Sequence, residues 1–142
     1  MKIVRTITFC LLFAELGSCK KKQDPTPVLS PQQLLIGTWR SKKVVRVSIS
    51  DKNVVVSQDS LDLTSSDPNS SITYQGDGTL LYGKATGGTY VFNPPKIDYY
   101  DYTGPYINSA TLVRVTSNTL ILLYQTPFQG GYSNKNTYTF TR

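Results

Sequence analysis

Ser30-Pro31-Gln32-Gln33-Leu34-Leu35-Ile36-Gly37-Thr38-Trp39 is the stretch on which the fold turns. A serine in the capping position, a proline at the first helical position and a glycine as the stop predict a helix of only one or two turns. Thr38-Trp39 then opens a first strand. In it Trp39, Ser41, Lys43, Val45, Val47 and Ile49 share one face, and Thr38, Arg40, Lys42, Val44, Arg46 and Ser48 share the other. The first face is expected to bury its tryptophan. The second is basic, and the row Arg40, Lys42, Arg46 reads as a solvent face rather than an anion-binding stripe.

Beyond this stretch threonine, valine, tyrosine and isoleucine are plentiful, turn residues recur, and no long segment holds a 3.6-residue period. The pattern predicts an all-β fold with the strands joined as an antiparallel meander. Strands are expected near Val54–Leu63, Ser71–Gln75, Thr79–Gly83, Thr89–Asn93, Ile97–Tyr102, Ala110–Thr116, Thr119–Gln125 and Asn136–Arg142. Gly76-Asp77-Gly78 and Gly87-Gly88 supply turns that need positive φ, and Asp67-Pro68-Asn69-Ser70 is a further break. Ser117-Asn118 reads as a two-residue hairpin loop. That loop sets Val115 against Leu120 and Val113 against Leu122, with Leu112, Arg114, Ile121 and Leu123 on the opposite face. Both faces are then largely apolar, and something must cover the second: the N-terminal tether, the short helix or another chain. In the last strand Asn136, Tyr138, Phe140 and Arg142 share a face. An arginine in line with two inward aromatics is expected to close the end of the fold by stacking its planar guanidinium on a ring.

Composition excludes much. The chain has 142 residues and a formal charge of +6. From Pro31 onward it holds ten basic and seven acidic side chains, too mild a balance, without clustering, for nucleic acid. It has no histidine, and its one glutamate is Glu15. The usual general base, a histidine-based triad and a histidine or cysteine zinc site are therefore missing. Asp98 and Asp101 are close in sequence but differ in parity, which suits solvated charges better than a catalytic pair. Asp51, Asp59 and Asp77 lack calcium-loop spacing. The expectation is a non-enzymatic protein without cofactor or metal.

At the N-terminus Lys2 and Arg5 precede the apolar run Ile7–Ala14, and Leu16-Gly17-Ser18-Cys19 follows. This is the layout of a secretory signal peptide, and the run is far short of the ~20 residues that span a bilayer. The last four residues resemble the lipobox of bacterial lipoproteins. That resemblance implies removal of residues 1–18 and acylation of Cys19 by chains of the palmitate type. Glu15 is an awkward charge there, and the alternative is an ordinary signal cut elsewhere that leaves Cys19 as a thiol. Cys10, the other cysteine, lies in the run and would leave with it. More than one acyl chain gives a durable membrane anchor. Residues 19–30, with Lys20-Lys21-Lys22 and two prolines, cannot bury a core and read as a lipidated tether. The lysines either touch anionic head groups or serve as a solvated spacer. Lys20, rather than an aspartate, follows the cysteine. By resemblance to lipoprotein sorting signals this favours the outer membrane.

The short helix, Gly37-Thr38-Trp39, the meander and a terminal-strand arginine together resemble the lipocalin-like family, most closely its small bacterial lipoproteins. The resemblance covers residues 31–142. It implies an antiparallel barrel of about 8–9 strands, closed at one end, in which Gly37 and Trp39 match the first motif and Arg142 matches the arginine that packs across the tryptophan. The family's middle-loop motif is not visible, so a hollow barrel and one filled by its own side chains both stay open. Tyr90, Phe92, Tyr138 and Phe140 are the candidate lining of a cavity. Tyr99, Tyr100, Tyr102 and Tyr106 either form a stacking platform for a sugar or an apolar ligand or fill half-wet strand positions. The resemblance implies an envelope protein that binds a small apolar or amphipathic ligand. The alternative is a binding or scaffold subunit of an outer-membrane or periplasmic complex.

Overall fold

In a computed structural model, residues 27–63, 70–100, 107–127 and 130–142 are described. The signal, Cys19 and the tether to Thr26 lie outside them, as do Asp67-Pro68-Asn69, Asp101, Tyr102 and Tyr106. The helix α1, Pro31–Leu35, begins with a reciprocal cap. The Gln33 N–H donates to Ser30 Oγ at 3.3 Å, and the Ser30 N–H donates to Gln33 Oε1 at 2.9 Å.

Nine strands follow: β1 (Gly37–Ser50), β2 (Val55–Asp62), β3 (Ser71–Tyr74), β4 (Thr79–Tyr82), β5 (Ala85–Asn93), β6 (Lys96–Tyr100), β7 (Ile107–Val115), β8 (Thr119–Gln125) and β9 (Tyr132–Thr141). Sequential antiparallel pairing runs from β3 to β9, β1 pairs with β3, and β9 returns to β1, so eight strands close a barrel. This is the expected all-β meander with one short helix. The ninth strand, β2, stands outside the ring and pairs with the second half of β1, Lys43 to Ile49. That half of β1 also pairs with β9, so β2, β1 and β9 extend beyond the barrel as a three-stranded arm. All eight residues of β2 are exposed.

Two bulges revise the expected faces. On β1, Ser41 lies opposite Phe140 and Lys43 opposite Thr139, so Lys42 is an extra residue. One inserted residue inverts the parity of everything after it. Past Lys42 the face shared with Tyr138 is therefore Val44, Arg46 and Ser48, and not Val45, Val47 and Ile49. Val44 is buried and Arg46 no longer lines up with Arg40. On β7, Leu112 pairs with Leu122 and Arg114 with Ile121, which leaves Val113 bulged and exposed in place of the expected Val113–Leu122 pair. Leu112 turns inward against the core, and the anticipated second apolar face shrinks to the half-buried Ile121 and Leu123. Gly87-Gly88 is likewise not a turn. Thr86 and Gly88 pair with Leu81 and Leu80, so Gly87 is a bulge within β5, and the turn before it is made at Gly83, with φ 60°. The last strand starts at Tyr132 rather than Asn136 because its extra residues pair with β1 in the arm.

One end of the barrel is closed by contacts that converge on Arg142. Its guanidinium carbon sits 4.2 Å from the Trp39 ring centroid. Nη2 donates to the carbonyl of Leu34 at 2.8 Å and to that of Ile36, and Nη1 donates to the Ser117 carbonyl at 3.3 Å. The Trp39 indole N–H donates to the Leu35 carbonyl at 2.8 Å. The orphan carbonyls at the end of α1, the loop between β7 and β8, and the first strand are thus tied by two side chains. Gly37 makes the approach possible. It has φ +130°, and a Cβ there would lie 3.0 Å from Arg142 Nη2. Beneath this clasp Leu35, Trp39, Leu80, Ile97, Leu120 and Leu122 are fully buried.

Arg142→Ala is expected to lower unfolding free energy by about 2–4 kcal/mol, the sum of a cation–π contact of ~0.5–1 and charged hydrogen bonds of ~1.5–3. Arg142→Lys should recover less than half of it, because an ammonium cannot span the same carbonyls while lying flat on the ring. Urea unfolding of the two variants measures this; an unchanged midpoint for both contradicts it.

Candidate binding cavity

Towards the other end of the barrel the strands change chemistry. Along β8 the inward residues run Leu120, Leu122, Tyr124; along β9 they run Phe140, Tyr138, Asn136, Asn134. Aliphatic residues at the base thus give way to rings, and the rings to amides. The ring layer is continuous. Tyr74 meets Tyr90 edge-on at 5.0 Å between centroids and Tyr99 at 6.3 Å. Tyr99 stacks on Tyr124 at 6.0 Å, Tyr124 meets Tyr138 edge-on at 5.5 Å, and Tyr138 stacks on Phe140 at 6.2 Å. Such pairs add about 0.5–1.5 kcal/mol each beyond area burial. The phenols are satisfied among themselves and by the backbone. The Tyr74 and Tyr99 hydroxyls lie 2.7 Å apart, and the Tyr90 hydroxyl donates to the Gln75 carbonyl at 2.7 Å.

Above this layer lies a cavity of about 410 Å³. Ile72, Tyr82, Tyr124, Tyr138 and Phe140 form its apolar wall, and Ser41, Ser70, Ser71, Asn108, Gln125, Thr126 and Asn136 form its polar one. Among the described residues no charged side chain lines it. Among the described residues the side-chain amides of Asn108, Gln125 and Asn136 make no hydrogen bond, so their donors and acceptors face the hollow uncommitted. A smaller hollow of about 200 Å³ adjoins it between Tyr82, Tyr99, Tyr100 and Tyr124. The ring of Tyr82 lies against Gly87, where a Cβ would come within 2.2 Å of it. The bulge in β5 therefore gives that ring its seat.

Burial sets the electrostatics of the floor. It pushes the Tyr74, Tyr99 and Tyr124 hydroxyls well above the ordinary phenol range, and charge repulsion between neighbouring phenols adds to it, while the hydrogen bonds from Tyr99 to Tyr74 and from Tyr124 to Tyr99 pull their acceptors the other way. The floor is therefore neutral at any physiological pH. Asp98 lies apart from it. Lys96 at 2.8 Å and the Ser109 hydroxyl at 2.6 Å hold its carboxyl below the usual range. Among the described residues no three cysteine, histidine or acidic side chains come together to hold a metal, and no helix is long and apolar enough to cross a membrane.

The sequence-based candidates divide. Tyr138 and Phe140 stand in the cavity wall, and Tyr99 and Tyr100 line the smaller hollow. Tyr90 and Phe92 line neither. Tyr90 is enclosed in the core with its hydroxyl on Gln75, and Phe92 packs against the core from its edge. Gly37, Trp39 and Arg142 lie at the closed base, away from the opening. Cys19, Tyr102 and Tyr106 are outside the described residues. Tyr82 and Tyr124 are absent from those candidates, although Tyr124 continues the alternation of Leu120 and Leu122, and Tyr82 that of Leu80. Asn108, Gln125 and Asn136 carry no such signal, since exposed amides are common on strands facing water. Comparison with protein-family models, curated proteins and solved structures finds no match to this chain.

Alkaline titration tests the floor. Phenols raised above their unfolded value contribute stability that is complete below about pH 10 and declines as pH rises further, because the unfolded chain then releases protons that the fold retains. Absorbance at 295 nm should show Tyr74, Tyr99 and Tyr124 ionising only as the fold is lost, in one cooperative step. Early, non-cooperative ionisation of all ten tyrosines would contradict their burial.

Proposed function

We propose that this is a non-enzymatic, lipid-anchored envelope protein whose barrel holds a small, uncharged, amphipathic ligand. One observation carries the reading: the end of the barrel opposite the clasp holds a hollow with an aromatic wall and uncommitted neutral amides, and among the described residues no charge lines it. Ligand pockets of roughly 300–1,000 Å³ are built this way, mostly apolar with a few polar groups that fix orientation. Among the described residues a fatty acid or other anion would lack a counter-charge there, and burying an unpaired charge is costly. The apolar part of the ligand would lie against Tyr124, Tyr138 and Phe140, and its polar part would reach Asn108, Gln125 and Asn136.

The lipocalin-like resemblance supports the same reading, since the Gly37, Trp39 and Arg142 cluster sits at the base of an eight-stranded barrel with its opening opposite. The address follows from sequence: the signal layout, Leu16-Gly17-Ser18-Cys19, and Lys20 after the cysteine favour the outer membrane. The tether gives the opening freedom to face either solvent or membrane surface.

Native mass spectrometry of the protein released gently from envelope membranes is expected to find a bound neutral species. Ser41→Phe, which fills the mouth while leaving the clasp intact, should cut its occupancy about tenfold or more. An empty wild-type protein, or full occupancy in the variant with its fold retained, contradicts the reading. Separately, Cys19→Ser should move the protein from the membrane fraction to the soluble one; a variant that still sediments with membranes contradicts the anchor.

A further inference from the structure

The inner face of the barrel does not end at the cavity. Past the rim it continues onto the arm, where three strands bring six polar residues into a two-by-three grid. Arg46 lies between Asp59 on β2 and Asn136 on β9, and Ser48 lies between Ser57 and Asn134. These six line a shallow hollow of about 310 Å³. Asn136 belongs to both hollows, so the grid and the cavity form one continuous surface. Along β9 the run from Phe140 through Tyr138 and Asn136 to Asn134 spans about 20 Å at ~3.4 Å per residue.

The chemistry of the grid is unusual for an exposed strand surface. Arg46 and Asp59 stand directly opposite each other across neighbouring strands, yet the salt bridge among the described residues is that of Lys96 with Asp98. Among the described residues neither side chain is committed elsewhere, so a five-donor fork and a two-oxygen acceptor lie side by side and open. The Ser48 hydroxyl donates to Asn134 Oδ1 at 2.7 Å, which turns the Asn134 amide nitrogen outward as a donor. The grid contains no apolar or aromatic side chain, and the energetic centres of protein–protein interfaces are built from such anchors. An anionic ligand would meet Asp59, and a cationic one Arg46. The partner these groups fit is neutral, with closely spaced hydroxyls that can both donate and accept.

We propose that the arm is a second subsite, and that the ligand of this protein is a neutral oligosaccharide or its glycolipid form, one end against the rings of the cavity and the following sugars along the grid. The proposal rests on the cavity reading above and deepens it. A sugar ring has an apolar C–H face for Tyr138 and Tyr124, and equatorial hydroxyls for Asn108 and Asn136. The next rings, carried past Asn136, would place vicinal hydroxyls between Arg46 and Asp59 and against Ser48 and Asn134.

The test is isothermal titration of the full-length chain, in a zwitterionic detergent, with neutral gluco-oligosaccharides of one to six rings in both α-1,4 and β-1,4 linkage, and with octyl glucoside as a single-ring probe. In at least one linkage affinity should rise about tenfold or more between one ring and four. The double variant Arg46→Ala/Asp59→Ala, and separately Asn134→Ala, should abolish that gain while octyl glucoside binds as before. If octyl glucoside binds but chain length and the arm variants change nothing, the second subsite is overturned and the cavity reading stands. If neither octyl glucoside nor any oligosaccharide binds, the glycan assignment is overturned, and the species found by mass spectrometry decides the cavity reading on its own.

Discussion

Everything in this fold is organised by one guanidinium lying flat on one indole. Arg142 is at once a cap for the last carbonyls of α1, a brace for the β7–β8 loop and a lid on Trp39. Because β9 carries Arg142 and β1 carries Trp39, the same contact joins the two strands whose pairing closes the barrel. An open meander of this length would leave two long edges ready to pair with other chains. Closure hides both along the barrel, and the clasp sets the register at which it occurs.

A barrel firmly closed at one end can be loosely filled at the other. The base is apolar and packed, with Trp39 among its aliphatic residues; the middle is a chain of tyrosines, of which Tyr74 and Tyr99 share a hydrogen bond; the mouth is amide and hydroxyl. Each step outward exchanges burial for hydrogen-bonding capacity. The tyrosine layer is the hinge of this gradient, because a phenol offers an apolar body to the floor and a polar tip to the space above. With burial holding its hydroxyls protonated, the layer gives the cavity an uncharged floor. A neutral ligand is proposed from this lack of charge as much as from shape.

The architecture was legible because it rests on local signals. Ser30-Pro31, Gly37 and the alternation of Tyr138, Phe140 and Arg142 state the helix, its stop and the inward face of the last strand without reference to anything distant. What alternation alone could not reveal was the pair of bulges. Lys42 and Val113 look like ordinary strand residues, and only the partner strand reveals that each is one too many. The slip moved Val44 to the buried side and set Arg46, still exposed, in line with Asn136 on the arm. The site was half legible for the same reason. Tyr138 and Phe140 lie on a strand whose parity is unbroken, whereas Asn136 with Arg46 and Asp59 becomes a surface only when β9, from the far end of the sequence, is set beside β1 and β2. Gly87-Gly88 misled because a glycine pair suits a turn and a bulge equally well, and the deciding factor is the ring of Tyr82 seated on it.

The central claim is therefore that the clasp at the base is rigid. Side-chain NMR of the guanidinium reads it directly. If Arg142 is held on Trp39 and bonded to the carbonyls of Leu34, Ile36 and Ser117, its Nη protons will appear as separate, slowly exchanging signals with cross-peaks to the indole ring. A single averaged Nη signal with no contact to Trp39 would contradict the account, and would leave the barrel without the constraint that closes it.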